Sequence, residues 1–391
     1  MNMHKLRRLT LLGVAALLFG GCSTVKDWIS PVEIDPPAEL QDIEELVKAE
    51  VVWSFDVGAG GDDQDLQLFP VHHEGRVYVA GAEGKVSALD AENGRVAWSV
   101  DLDVAASGGP GVGEGLVLLG TSDAEVIALA EENGEERWRA RVSSEVLAAP
   151  VAAYGRVVVR TIDGKVIGLD ATNGEQVWLY EREIPVLTLR GVSAPVTSGT
   201  NVLCGMSGGK LIALDIGNGA VIWDATVAVP SGRSELGRLA DIDGVPLVSD
   251  GLIYVATYQG QVAALGEYSG SVLWRRNFSS YTSMAADRYK VYASDADGFV
   301  WALSADNGSA RWSQQDLSNR LLSDVAVLGD VVAVGDFEGY LHFLSTEDGS
   351  LIGRTRVGSK PLRGGMLVVG DMLYVQGGAG DLEVLRLRDT R

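Results

Sequence analysis

The residue types that most often carry catalysis or bind metals are sparse in this chain. It contains four histidines and two cysteines in 391 residues. His72 and His73 are adjacent on a predicted strand, so their side chains point to opposite faces and cannot bind one ion from the same side. The sequence has no glycine-rich phosphate loop, nucleophile elbow or haem-attachment motif. We therefore predict no catalytic residue, no metal site and no cofactor.

Cys22 carries the clearest chemical prediction. A basic stretch at residues 1–8 precedes an apolar run of 11 residues at 9–19, which is too short to span a bilayer as a helix, and two glycines precede the cysteine. This pattern indicates a secretory signal over residues 1–21 and resembles the bacterial lipobox, in which the cysteine becomes lipidated. Ser23 in place of Asp favours the outer membrane by the same resemblance. The alternative is ordinary cleavage beside an unrelated cysteine.

Two long stretches between predicted strands carry the candidate partner-binding residues. The sequence contains an internal repeat, described below, in which a Trp near the end of one copy is followed by a Pro in the first predicted strand of the next. The spacing from Trp to Pro is 12 residues at Trp98–Pro110, but 17 at Trp178–Pro195 and 23 at Trp223–Pro246. Apolar residues on long surface loops indicate contact with a partner more than a core. The residues that we predict to bind are Leu187, Leu189, Arg190, Asp241 and Asp243. The alternative is that both loops only pack over the molecule's own face.

An internal repeat positions these loops. Its tryptophans recur at intervals of 38 to 51 residues, at Trp53, Trp98, Trp138, Trp178, Trp223, Trp274 and Trp312. All but the first follow a turn glycine by four residues, and a seventh turn at Gly349 has Gly353 in the place of the Trp. We interpret these tryptophans as structural, each filling the gap between adjacent sheets with its N–H free to donate to a neighbouring backbone carbonyl. Ligand stacking is the alternative.

Each repeat reads as two β-hairpins preceded by an apolar strand, so the predicted fold is all-β and propeller-like, with four antiparallel strands per blade. Seven turns give seven blades. Residues 51–57 read as a lone outer strand and residues 366–387 as three strands lacking one, so together they predict an eighth blade that closes the ring. The predicted domains are a signal peptide at 1–21, a lipidated tether at 22–49 with a possible short helix at 39–48, and an eight-bladed β-propeller at 50–391.

The net charge excludes some partners. The chain has 32 basic and 53 acidic residues, a formal charge of −21, and loss of the three basic residues of the signal gives −24. Nucleic acid and anionic membrane surfaces are therefore not expected to bind it. Solubility alone can account for much of this charge.

The repeat Ala-x-Asp-x-x-x-Gly-x-x-x-Trp resembles that of the quinoprotein-type (PQQ-like) propellers. An eight-bladed version with a lipobox is similar, end to end, to the propeller lipoproteins of the outer-membrane β-barrel assembly (BAM) machinery. That resemblance implies a non-catalytic scaffold, lipid-anchored at the periplasmic face of the outer membrane, that binds the POTRA domains of BamA and assists the insertion of β-barrel proteins. It also implies that the five loop residues above make the contact.

Two other functions stay open. A PQQ-dependent dehydrogenase would share the repeat, but that family is usually longer and carries an adjacent Cys-Cys pair, which this sequence lacks. A generic lipid-anchored propeller that binds another envelope component would differ from the scaffold only in its partner.

Overall fold

The computed structural model describes residues 35–61, 66–183, 192–230, 234, 239–363 and 365–390. These residues form 33 strands in eight sheets and contain no helix. Seven sheets have four antiparallel strands, and one has a short fifth strand that pairs in parallel. The prediction of an eight-bladed β-propeller is confirmed. Since the described part of the chain is entirely non-helical, it offers no α-helical membrane span.

The strands follow one another blade by blade. The chain begins with β1 (Val47–Asp56), which joins blade 8, and β2 (Gln67–Leu68), which pairs with the first strand of blade 2. Blade 1 comprises β3 (Val71–His73), β4 (Arg76–Ala80), β5 (Lys85–Asp90) and β6 (Val96–Asp101). Blade 2 comprises β7 (Ala106–Gly113), β8 (Leu116–Thr121), β9 (Glu125–Ala130) and β10 (Glu136–Arg141). Blade 3 comprises β11 (Val151–Ala153), β12 (Arg156–Arg160), β13 (Val166–Asp170) and β14 (Gln176–Tyr180). Blade 4 comprises β15 (Val196–Ser198), β16 (Asn201–Met206), β17 (Lys210–Asp215) and β18 (Val221–Thr226).

The second half repeats this order. Blade 5 comprises β19 (Leu247–Ser249), β20 (Leu252–Ala256), β21 (Gly260–Gly266) and β22 (Val272–Phe278). Blade 6 comprises β23 (Ala285–Ala286), β24 (Lys290–Ser294), β25 (Val300–Ser304) and β26 (Ala310–Gln314). Blade 7 comprises β27 (Val325–Leu328), β28 (Val331–Gly335), β29 (Tyr340–Ser345) and β30 (Leu351–Arg356). Blade 8 comprises β31 (Met366–Val369), β32 (Met372–Gln376), β33 (Asp381–Asp389) and the N-terminal β1.

The ring closes as predicted, through pairing of the first strand with the last. β1 runs antiparallel to β33, with Val51 opposite Leu385. Trp53 packs edge-on against Tyr374 of β32, with ring centroids 5.8 Å apart, and its N–H donates to the Ala91 carbonyl of blade 1. The strand begins at Val47, earlier than the residue 51 predicted. The first and last blades therefore meet without an open seam.

The residues just before β1 belong to the compact unit, which starts at Ala38 rather than at the predicted boundary of residue 50. They form no helix, in contrast to the possible helix at 39–48. Their backbone instead bonds to the propeller: the Ala38 N–H donates to the Ser318 carbonyl, and the Leu46 N–H donates to the Ile352 carbonyl. Since these groups are paired to blade 7 and its preceding connection, a helix would have to break those bonds.

The repeated tryptophans bridge neighbouring blades. Six indole N–H groups donate to a backbone carbonyl of the following blade at 2.8 to 3.3 Å, from Trp53, Trp98, Trp138, Trp178, Trp274 and Trp312. The indole nitrogen of Trp223 is buried without a partner among the described residues. The larger hydrophobic clusters also draw on two adjacent blades, as where Leu203 of blade 4 packs with Val255 of blade 5. Burial between blades therefore holds the ring together.

Candidate partner-binding site

The two long connections predicted from the spacing start from the last strands of neighbouring blades, on the same face of the ring. The first joins β14 to β15 and is described at residues 181–183 and 192–195, while the second joins β18 to β19 and is described at 227–230, 234 and 239–246. Leu187, Leu189 and Arg190 lie outside the described residues. The prediction that they contact a partner therefore stays a prediction.

A hydrogen bond fastens the ends of the two connections to each other. The Ser193 hydroxyl, which is fully buried, donates to the Gly244 carbonyl at 2.9 Å. Below this bond, Gly205 of β16 leaves room for the contact, because a Cβ at that position would lie 2.5 Å from Ile242 and 3.0 Å from the Ser193 hydroxyl. Blade 4 therefore presents both connections side by side.

Asp241 and Asp243 belong to the second connection and are buried, with exposures of 3% and 7%. Asp241 Oδ1 accepts from the Gly208 N–H in blade 4 at 2.9 Å, and its backbone carbonyl accepts from the Tyr258 N–H in blade 5 at 3.0 Å. Asp241 thus ties the connection to the turns of both blades that it joins.

The prediction that Asp241 and Asp243 contact a partner stays a prediction, but both side chains are buried rather than exposed at the surface. The Asp241 carboxylate meets the backbone of blade 4, where the Gly208 N–H donates to it. Sequence spacing located the connection but could not give the direction of these side chains. Because both side chains are buried, charge reversal at either would disrupt packing as well as any contact with a partner.

Asp243 differs from Asp241 in lacking full hydrogen bonding. Its Oδ2 is buried and has no hydrogen-bond partner among the described residues. Burial, together with the charge of Asp241, raises the pKa of Asp243 to about 7 against the opposing effect of the Arg160 guanidinium. The carboxyl therefore changes its protonation near neutral pH.

Arg160, at the end of β12, is the residue of this site that sequence reasoning missed. It is 5% exposed, its Nη1 donates to the Ser193 carbonyl at 3.2 Å, and its Nε has no hydrogen-bond partner among the described residues. Burial lowers the pKa of the guanidinium, while Cys204, Asp243 and Asp241 oppose that shift. Arg160 thus reaches from blade 3 to the start of blade 4.

A comparison across blades would have revealed Arg160. Arg160 pairs with Val166 in the last pair before the turn of the β12–β13 hairpin. By register, this position corresponds in the other blades to uncharged and mostly small residues, namely Ala80, Gly120, Gly205, Ala256, Ser294, Gly335 and Gln376. A charge at a position that seven blades keep neutral breaks the repeat. Such departures mark the blade on which a specific function is built.

Two other groups of reactive side chains were considered as sites. Cys204 is fully buried, and burial raises the pKa of its thiol to about 12, so it is not an activated nucleophile. His73, Glu74 and Glu131 bring ligand atoms within 4.8 Å of one another across blades 1 and 2, a proximity that the histidine spacing did not reveal. Glu131 already accepts from the Tyr78 hydroxyl at 3.1 Å and lies 2.6 Å from His73 Nδ1. These polar atoms therefore pair internally.

A family model described as outer membrane protein assembly factor BamB matches residues 48–108, 82–314 and 306–390. The chain belongs to the BamB family. BamB of Pseudomonas aeruginosa is 47% identical over 386 residues, covering 99% of this chain and 100% of the relative. BamB of Marinobacter adhaerens is 49% identical over 385 residues, covering 98% and 97%.

Solved structures agree with this family. The crystal structure of BamB from Moraxella catarrhalis matches with a TM-score of 0.79 at 30% identity, covering 87% of this chain and 100% of that one. Quinohemoprotein alcohol dehydrogenase from Comamonas testosteroni matches with a TM-score of 0.67 at 14% identity, covering 86% and 76%. The second likeness shows the propeller fold alone. Membership of the BamB family indicates an outer membrane protein assembly factor rather than an enzyme.

Proposed function

We propose that this protein is a non-catalytic scaffold of the BAM complex, anchored by lipid at Cys22 to the periplasmic face of the outer membrane. It binds the periplasmic POTRA domains of BamA and thereby assists the assembly and insertion of β-barrel proteins. Leu187, Leu189 and Arg190 make the direct contact. Asp241 and Asp243 complete this binding site as buried residues of the second connection, where Asp241 bonds to blades 4 and 5.

The observation that carries this proposal is the fastening of the two long connections at their ends. A binding surface built from two loops needs both held in one arrangement before the partner arrives, because ordering them on binding would reduce affinity. The Ser193–Gly244 hydrogen bond and the two backbone-directed bonds of Asp241 supply that constraint. These bonds hold the described ends of the two connections against the blades.

Binding to purified BamA tests the proposal. Arg190→Ala, and Leu187→Ala combined with Leu189→Ala, should weaken binding by about 1 to 3 kcal/mol, as expected for interface anchor residues. Thermal unfolding of the same variants should stay within a few degrees of wild type (roughly 2 to 4 °C per kcal/mol). Unchanged binding together with markedly lower melting would show instead that the loops pack over the protein's own face.

The membrane anchor is tested separately. Cys22→Ser should leave folding intact, because residue 22 lies outside the compact unit, which starts at Ala38. The variant should be recovered in the soluble periplasmic fraction, since it lacks the acyl chains that hold a lipoprotein to the bilayer. Retention in washed membranes from cells that lack accessible BamA would contradict lipid anchoring at this cysteine.

A further inference from the structure

We infer that Arg160 is a positioning residue of the partner-binding surface: it holds the ends of both long connections from the neighbouring blade without touching the partner. This inference rests on the proposed function, because it concerns the same surface. It adds a residue of blade 3 that lies in neither connection.

Arg160 occupies its position at a cost in stability. A buried guanidinium that lacks hydrogen bonds loses hydration that nothing replaces. Arg160 is 5% exposed and its Nε has no hydrogen-bond partner among the described residues. An alanine, glycine, serine or glutamine serves the corresponding position in every other blade. Groups retained against stability are typical of functional sites rather than of scaffolding.

The contacts of Arg160 lead from blade 3 into both connections. Its Nη1 donates to the Ser193 carbonyl at the end of the first connection. The Ser193 side chain in turn donates to the Gly244 carbonyl at the end of the second. A displacement of the guanidinium would therefore move the first connection directly and the second through Ser193.

Asp243 supplies the complementary buried charge. Among the residues that the structure describes, its Oδ2 has no hydrogen-bond partner, like Arg160 Nε, and the two side chains influence each other's pKa. Buried charges of opposite sign favour one arrangement of the segments that carry them, although they add little net stability. Because Arg160 lies on blade 3 and Asp243 lies at the end of the second connection, this pair acts across the same junction as the Ser193 bond.

The test compares Arg160 with a second buried arginine. Arg320 is 3% exposed, and it bonds to Asp336 and to the Ala38 carbonyl in the region of blade 7. Binding of purified BamA and thermal unfolding are measured for the full-length lipoprotein in detergent, carrying Arg160→Gln, Arg160→Lys or Arg320→Gln. Both glutamine variants remove a buried charge, but only one removes it beneath the connections.

We expect Arg160→Gln to weaken BamA binding about tenfold and Arg320→Gln to leave it within about twofold despite a comparable loss in melting temperature. Arg160→Lys retains the charge and one donor, so it should recover part of the affinity. Hydrogen exchange should rise in peptides from 184–191 and 231–238 in Arg160→Gln alone. Equal effects of the two glutamine variants on binding, or unchanged binding in Arg160→Gln, would overturn the inference.

Ser193→Ala covers the case in which Arg160→Gln fails to fold. It removes only the hydroxyl that bonds to Gly244, and it should weaken binding about threefold. Wild-type affinity in that variant would then overturn the inference. Failure of the proposed function gives a different result, since wild-type protein would not bind BamA at all. If Arg190→Ala weakens binding while the Arg160 and Ser193 variants do not, only the positioning inference fails.

Discussion

The indole ring of Trp98 lies against the backbone of Gly134, the turn glycine of the next blade, so closely that a Cβ there would lie 2.6 Å from Cε3. The same indole donates its N–H to the Glu131 carbonyl at 2.9 Å. This pairing recurs at Trp53–Gly94, Trp138–Gly174, Trp178–Gly219, Trp223–Gly270, Trp274–Gly308 and Trp312–Gly349. The glycine and the tryptophan of one repeat therefore serve different interfaces, one on each side of the blade.

Gly134→Ala should destabilise the protein more than Gly115→Ala. Both glycines have positive φ, 77° and 72°, but a Cβ at Gly115 meets nothing within 4 Å. The backbone strain of about 1 to 2 kcal/mol is common to both variants. Overpacking against Trp98 adds about 1 to 3 kcal/mol at Gly134 alone. Urea denaturation measures the difference, and equal losses would show that the indole moves aside freely.

Truncation from the N-terminus should reduce stability in two steps. Removal of residues 23–37 should change little. Removal through residue 46 deletes the Ala38 carbonyl that Arg320 bonds and the Leu46 backbone bond to Ile352, so we expect a loss of about 1 to 3 kcal/mol. Removal through residue 57 also deletes β1 and should lower stability by several kcal/mol more and cause aggregation. Coincident thermal midpoints for the last two truncations would contradict closure by β1.

Stability should fall as pH rises through the range in which Asp243 ionises. Its pKa is raised from 3.8 to about 7 in the folded state, chiefly by burial. Between those values the folded protein binds a proton that the unfolded chain releases, so the free energy of unfolding decreases with increasing pH by up to about 4 kcal/mol. In Asp243→Asn this decrease should disappear. Parallel pH profiles of wild type and variant in thermal unfolding would rule out ionisation of Asp243 as the cause.

His342 should act in the opposite direction. The ring is fully buried, Arg354 Nε donates to its Nδ1 at 3.2 Å, and its Nε2 lies 2.9 Å from Asp336 Oδ2. Burial lowers the pKa of His342 from 6.5, and the opposing effect of Asp336 does not offset it. The unfolded chain then binds the extra proton below about pH 6.5, so stability falls as pH decreases. His342→Gln should reduce this decrease in stability at acid pH, as measured by thermal unfolding. An unchanged decrease would show that other groups cause it.

The blades were predictable from the sequence because the residues that define the strands and turns of each blade lie within a single repeat. A turn glycine, an alternating strand and a tryptophan at fixed spacing recur often enough to identify eight blades, including the one made from both ends of the chain. The residues at 38–46 were not predictable in the same way. Their apolar spacing is compatible with a helix, but backbone bonding to blade 7 determines the extended conformation, and that contact is remote in sequence.

The candidate site was predictable in location but not in chemistry. Loop length indicates which connections differ from the rest, whereas the direction of Asp241 and Asp243 depends on the turns that anchor the connection. Arg160 was not predicted as a site residue because the strand sequence Arg-Val-Val-Val-Arg has no unusual feature when it is considered alone. Only alignment of the strands by their pairing register shows that the second arginine stands where the other blades are neutral.

The pairing of β1 with β33 has a consequence for biosynthesis. β1 is synthesised first but can pair only with β33, which is synthesised last, because Val47 pairs with Asp389 and Asp56 with Asp381. A nascent chain, or a product of premature termination, keeps both the outer edge of blade 8 and the first strand unpaired until residue 389 has been added. Such products expose unpaired strand edges, which favour aggregation. Loss of a few residues near position 389 should therefore open the ring as effectively as loss of β1.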